Sequence, residues 1–165
     1  MASELHVHTT FSKLDAHGHP NQLVKRALQL GLKALAVTDH GNTAAHPKLE
    51  MACNKWGKCN VCGEIVDMKS KEHLCVNPTY QTIKPLFGVE LYLNTKQQKK
   101  NHITIIAKNL EGYRNLVTLA SLAYDENHFY YMPCVDIEDV IAYQKGLIVR
   151  RAIINPTNDI IQLCC

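Results

Sequence analysis

Short apolar runs alternate with amphipathic stretches along this chain. Ser3-Glu-Leu-His-Val-His8 reads as a brief extended segment followed by two threonines. From Pro20 to Leu30 the apolar residues Leu23, Val24, Ala27, Leu28 and Leu30 recur at helical spacing. Pro20 suits a first helical turn, where a missing N–H costs nothing, and Gly31 suits the left-handed position just past a helix end. Lys33 to Thr38 is a continuous apolar run bounded by turn residues, the pattern of a strand buried on both faces. A strand-helix-strand unit therefore opens the chain.

A second helix is predicted from Thr43 to about Cys53. Residues 53–77 then lose any clear apolar period and read as a Cys-rich insertion. Strand patterns resume at Lys84–Leu93 and His102–Ala107. A third helix from about Leu110 to Tyr124 places Tyr113, Leu116, Val117, Ala120 and Tyr124 on one face. A short helix near Ile137–Tyr143 precedes a last apolar run, Leu147–Val149. Strands alternating with helices predict a largely parallel α/β sheet or barrel.

Composition changes the picture at one point. The 165 residues include 18 Lys plus Arg and 15 Asp plus Glu, and a net charge of +3 does not by itself select a nucleic-acid partner. Nine His and seven Cys are the departure. No apolar run approaches the roughly 18 residues of a membrane span and no export signal opens the chain, so membrane partners are not expected. Reduced thiols in a cytoplasmic setting then favour metal ligation over disulfides.

The candidate ligands stand where strands end. His6 and His8, two apart in an extended segment, project to the same side. Asp39 and His40 follow the second strand, at the kind of edge where α/β folds gather site residues. Glu90 interrupts an apolar strand, and His102 begins the next one. In the insertion, Cys59-Asn-Val-Cys62 followed by Gly63 has the form of a zinc knuckle, with Cys75 a third ligand for structural Zn²⁺. The fourth is His73 or Cys53, with His73 preferred because Cys53 falls at the end of an amphipathic helix. Lys55, Trp56, Lys58, Lys69, Lys71 and Lys84 surround the knuckle, which suits either nucleic-acid contact or an ordinary solvated loop.

Several of these stretches carry a resemblance. Glu4-Leu-His-Val-His-Thr-Thr-Phe-Ser-Lys-Leu-Asp15, Leu35-Ala-Val-Thr-Asp-His-Gly-Asn42 and Gly88-Val-Glu90 resemble the first motifs of the polymerase and histidinol phosphatase (PHP) domain. Ile105-Ile-Ala-Lys-Asn-Leu-Glu-Gly-Tyr-Arg-Asn-Leu116 and Phe129-Tyr-Tyr-Met-Pro-Cys-Val-Asp136 are similar to the PHP domains of bacterial-type DNA polymerase III alpha subunits. The resemblance runs from about residue 3 to 149 within a PHP-like domain of 1–165, with residues 150–165 a divergent tail.

The resemblance implies an α/β fold, an incomplete or shortened distorted (β/α)7 barrel with a small zinc-knuckle insertion. It implies up to three Zn²⁺ or Mn²⁺ ions held by His6, His8, Asp15, His40, Glu90 and His102, with Asp39 as a group that orients a ligand. It also implies phosphoester hydrolysis, specifically 3′–5′ exonuclease proofreading at a DNA 3′ end, within a polymerase III alpha-type protein and among replication proteins of a bacterial or phage-infected cell. The family's polymerase carboxylates lie downstream of the PHP domain, so DNA synthesis by this chain is not implied. Family ligands that follow the strand at Gly146–Val149 have no counterpart, with Ile153 standing where a Cys is usual. That departure keeps two alternatives open: a noncatalytic metal-stabilised scaffold or DNA- or partner-binding module of the polymerase, and a small-molecule phosphatase of the histidinol phosphatase type.

Overall fold

The computed structural model describes residues 2–94, 101–129 and 131–151, so the divergent tail lies outside the described residues beyond Arg151. The chain forms two compact units, Met1–Val37 with Ala44–Leu86, and Thr38–Thr43 with Phe87–Cys165. Together they carry a mixed α/β set of elements.

In the first unit, β1 (Glu4–Val7) pairs in parallel with β2 (Ala34–Val37), joined by helix α1 (Pro20–Gln29). This is the expected opening unit, and its helix has the expected ends. Pro20 takes the first turn, and Gly31 adopts φ +70° just past the cap residue Leu30. At the other end the His19 ring accepts from the Asn21 N–H at 3.4 Å, while Gln22 Oε1 accepts from the His19 N–H at 3.3 Å. Val24, Ala27 and Leu28 of α1 are buried, as are Leu35, Ala36 and Val37 of β2. Helix α2 (His46–Lys55) packs on α1 and contributes Leu49, Ala52 and Cys53 to this core.

The stretch read as a Cys-rich insertion forms a small antiparallel sheet. Strand β3 (Trp56–Cys59) lies between β4 (Ile65–Asp67) and β5 (Tyr80–Gln81). Few of its side chains are buried, which is why no apolar period marks it in the sequence. Trp56 is not an open stacking surface: its indole N–H donates to Asn21 Oδ1 at 3.1 Å, and Lys25 Nζ sits 3.6 Å from the ring centroid.

The second unit is built on β6 (Lys84–Leu93), whose residues from Phe87 onward belong to it, and β7 (Asn101–Ala107). These two strands are antiparallel, with Glu90 opposite Thr104 and Tyr92 opposite His102. Strand β9 (Leu147–Arg151) is antiparallel to β7, whereas the two-residue β8 (Cys134–Val135) runs parallel to β6. The α/β class expected from the sequence holds, and this unit adds the antiparallel pairings β6–β7 and β7–β9 to it. Seven residues separate Leu93 from Asn101, fewer than the roughly dozen that a crossover between parallel neighbours needs.

Helices α3 (Leu110–Leu122) and α4 (Ile137–Ala142) complete the unit. Its core joins Val89 and Leu91 of β6, Ile103 and Ile105 of β7, Leu116, Leu119 and Ala120 of α3, Val135, Val140 and Leu147. Asn109 caps α3 by accepting from the Gly112 N–H at 2.9 Å. Among the described residues no helix is long and apolar enough to cross a membrane.

Candidate metal centre

At the end of β1 the His-x-His pair does what period-two geometry dictates. The Nε2 atoms of His6 and His8 are 3.1 Å apart, with the rings edge-on at 78°. His8 is set by its other nitrogen, since Nδ1 lies 3.0 Å from Ser12 Oγ. Ser12 is buried in a tight turn in which its N–H donates to Thr9 O at 2.9 Å and its carbonyl accepts from the N–H groups of Asp15 and Ala16. The same turn thus orients His8 and carries Asp15, which is exposed.

The spacing of the histidine pair fits metal ligation. Two imidazole nitrogens each about 2.0–2.1 Å from a shared ion stand about 2.8–3.4 Å apart for angles between octahedral and tetrahedral. The observed 3.1 Å falls in that interval. The Ser12 contact also leaves Nε2 as the nitrogen directed at its neighbour, which is how a ligating imidazole is usually held.

In the second unit, Thr38–Thr43 lies along β6. The Glu90 N–H donates to Asp39 O at 3.0 Å, and the Gly41 N–H donates to Glu90 O at 2.8 Å. This exchange bridges His40 to Glu90 in parallel fashion. Gly41 makes the close approach practicable: its φ is +66°, and a Cβ there would lie 2.4 Å from Pro133 Cγ. The Glu90 carboxylate is 2% exposed, and its Oε1 lies 3.5 Å from His40 Nδ1 and within hydrogen-bond contact of His102 Nδ1.

His102 reaches Glu90 because β7 is antiparallel to β6. The start of one strand lies beside the end of the other, and Glu90 and His102 are diagonal neighbours on one face. Tyr92 packs edge-on against His102, with centroids 4.3 Å apart. Two imidazoles sharing one buried carboxylate oxygen form a donor set of mixed hardness, suited to Zn²⁺ or Mn²⁺ more than to Ca²⁺. Asp39 is 1% exposed, directly behind His40 in the chain.

The insertion brings together Cys59, Cys62, His73 and Cys75, whose donor atoms all lie within 4.8 Å of one another. Cys53 is elsewhere, buried on α2, where desolvation pushes its thiol up to about 12. The Cys59 thiol is held below its ordinary value, chiefly by the Cys62 backbone N–H. Desolvation, reinforced by the neighbouring Cys62 and Cys59 thiols, pushes Cys75 up to about 11.

Two histidines outside the predicted ligand set are also sequestered. His46 is 2% exposed at the start of α2. His128 donates from Nε2 to Asp139 Oδ2 at 2.9 Å, with Asp136 Oδ2 at 3.8 Å. Neither has a sequence signal, because a lone His between polar residues looks the same whether a loop folds over it or not.

The family description "PHP domain" matches residues 4–158. The DNA polymerase III subunit alpha of Chlamydia muridarum is 34% identical over 158 residues, covering 90% of this chain and 11% of that protein. That of Helicobacter pylori (strain ATCC 700392 / 26695) is 33% identical over 157 residues, covering 91% of this chain and 11% of its own length. The chain thus spans about a ninth of the curated relatives it matches. Among solved structures, an amidohydrolase from Chromobacterium violaceum aligns over 74% of this chain and 34% of its own at 18% identity, with a TM-score of 0.46. On the extent of the family match and the level of these identities, the chain belongs to the PHP domain family.

Proposed function

We propose that the chain is a metal-dependent phosphoesterase module of a DNA polymerase III alpha-type protein, and that its substrate is the 3′-terminal phosphodiester of DNA. The observation that carries this reading is the His6–His8 pair, 3.1 Å apart at Nε2 and oriented by Ser12. His6, His8, Asp15, His40, Glu90 and His102 are the residues that would hold Zn²⁺ or Mn²⁺, up to three ions. When bound, such ions acidify a water and neutralise charge on a phosphoryl oxygen and its leaving group.

The chain's own groups do the rest. Ser12 holds the His8 ring in orientation through Nδ1, and Tyr92 limits the tilt of the His102 ring. Glu90 supplies buried negative charge between two imidazoles, which offsets cationic charge gathered there. Asp39, buried beside His40, is proposed as a positioning group. The protein's setting is then the cytoplasm of a bacterial or phage-infected cell, its partners being a DNA 3′ end, the remainder of a polymerase and other replication proteins.

The test is incubation of the metal-loaded chain with a 3′-mismatched primer on its template. Release of 3′ nucleotides with Zn²⁺ or Mn²⁺, lost in the His6→Ala, His8→Ala double variant, is the expected result. Absence of release under every metal condition overturns the nuclease assignment. Hydrolysis of histidinol phosphate or a chromogenic monoester in its place would assign a small-molecule phosphatase. If no substrate turns over while the double variant melts at lower temperature, the scaffold role stands instead.

A further inference from the structure

The insertion is held by groups that no phosphoesterase chemistry requires. We propose that Cys59, Cys62, His73 and Cys75 form a closed tetrahedral zinc centre whose role is to fasten the β3–β4–β5 sheet. The inference does not depend on the phosphoesterase reading.

Distances support the assignment. With Zn–S about 2.3 Å and Zn–N about 2.05 Å, a tetrahedral angle puts sulfur and nitrogen about 3.6 Å apart and two sulfurs about 3.8 Å apart. Cys62 Sγ and His73 Nε2 are 3.5 Å apart, and all four donor atoms lie within 4.8 Å. A contraction of about 1 Å at the widest pair brings the set to bonding geometry.

The backbone between the first two thiols is shaped for the same purpose. Cys59 ends β3, and its carbonyl accepts from the Gly63 N–H at 2.9 Å while its sulfur accepts from the Val61 N–H at 3.3 Å. Amide N–H groups aimed at a sulfur stabilise thiolate, the form a metal binds. Gly63 closes the turn with φ +78° and nothing within 4 Å of where a Cβ would stand.

His73 is likewise held for ligation through Nε2. Its Nδ1 lies 3.2 Å from the Tyr80 hydroxyl, and Tyr80 is in β5. With Nε2 on a metal, Nδ1 carries the proton and donates it to the Tyr80 oxygen, which fixes the tautomer. The four ligands thus come from the β3 end, the knuckle turn and the loop before β5, so one ion ties all three together.

Burial shows why such a tie is required. In the insertion Val61, Leu74 and Val76 are exposed, and Cys59 is the most deeply buried of the ligands. A segment with so little apolar burial does not offset the entropy of ordering its chain, and metal ligation supplies the difference. Disulfide pairing would engage two thiols and leave His73 without a role.

The test uses the full 165-residue chain, with Zn²⁺ and Co²⁺ as probes. Native mass spectrometry should find one zinc retained per chain that disappears in Cys59→Ser with Cys62→Ser and persists in His6→Ala with His8→Ala. Co²⁺ should give a thiolate-to-cobalt absorption band in the native chain. His73→Cys should keep one ion and intensify that band, so the result does not depend on a variant that fails to fold. Cys53→Ser should change neither readout. Hydrogen exchange in the double-serine variant should accelerate across residues 56–81 while β6 and β7 stay protected. A chain that retains no zinc at these thiols, a native mass two hydrogens light from a disulfide, or zinc loss caused by Cys53→Ser would each overturn the assignment.

Discussion

Substituting Gly41 by alanine tests whether the approach of Thr38–Thr43 to β6 holds His40 beside Glu90. Two costs follow from the structure. A φ of +66° is left-handed, which costs an L-residue about 1–2 kcal/mol. The new Cβ would also lie 2.4 Å from Pro133 Cγ and 2.7 Å from the Tyr124 hydroxyl, against an ordinary separation of about 3.5 Å. A proline ring cannot rotate away, so about 1 Å of movement is forced on the backbone, and overpacking of that kind costs about 1–3 kcal/mol. The sum is about 3 kcal/mol, or more than a hundredfold in the folding equilibrium and about 6–12 °C in Tm for a chain of this size.

Gly31→Ala is the control. Its φ is +70°, yet nothing lies within 4 Å of the added Cβ, so it suffers the conformational cost alone. Urea unfolding followed by far-ultraviolet circular dichroism should place Gly41→Ala well below Gly31→Ala in midpoint. A double-mutant cycle with Pro133→Ala should recover about 1–3 kcal/mol, the packing share. If Gly41→Ala matches Gly31→Ala within about 0.5 kcal/mol, or the cycle shows no coupling, Pro133 does not press on Gly41 and the argument that this glycine positions His40 fails.

Three further outcomes are expected. Ser12→Ala should leave the melting temperature nearly unchanged but weaken metal binding at His6 and His8 by about 10-fold or more, as titration calorimetry would show, because His8 loses the group that orients it. Asp139→Ala removes the acceptor of both the His128 ring and the Asp136 N–H at the start of α4, and should cost about 1–2 kcal/mol by chemical denaturation, with Asp139→Asn costing less. Cys53 should impose an alkaline limit on stability. Its thiol is pushed by burial from 9.0 to about 12, so below pH 9 it is protonated in folded and unfolded chains alike. Between pH 9 and about 12 the unfolded chain releases the proton first and stability falls with rising pH, a slope that Cys53→Ala should abolish.

Much of the site is written locally. Extended backbone alternates its side chains, so His6 and His8 share a side wherever the strand is placed. Pro20 and Gly31 mark the ends of α1 because each satisfies a backbone condition within a few residues. Glu90 stands out because a carboxylate interrupting a buried strand needs partners, and the Cys-x-x-Cys-Gly turn follows from the reach of two thiolates to one ion.

What tertiary structure alone decided concerns direction and partnership between distant segments. Strand patterns carry no sign, and Asn101–Ala107 would read the same parallel or antiparallel to Lys84–Leu93. The antiparallel choice is what sets His102 beside Glu90 rather than at the opposite end of the sheet. Two-residue strands such as Cys134–Val135 have no period to detect, and β3, β4 and β5 bury too little to leave one. Composition left His73 and Cys53 as rivals for the fourth thiolate-site position. Folding separates them, because α2 carries Cys53 into the apolar core while the Tyr80 hydroxyl of β5 holds His73 against Cys62. His128 and Asp139 meet for the same reason: a contact across eleven residues is specified by where the loop lands on α4, and no local rule encodes that landing.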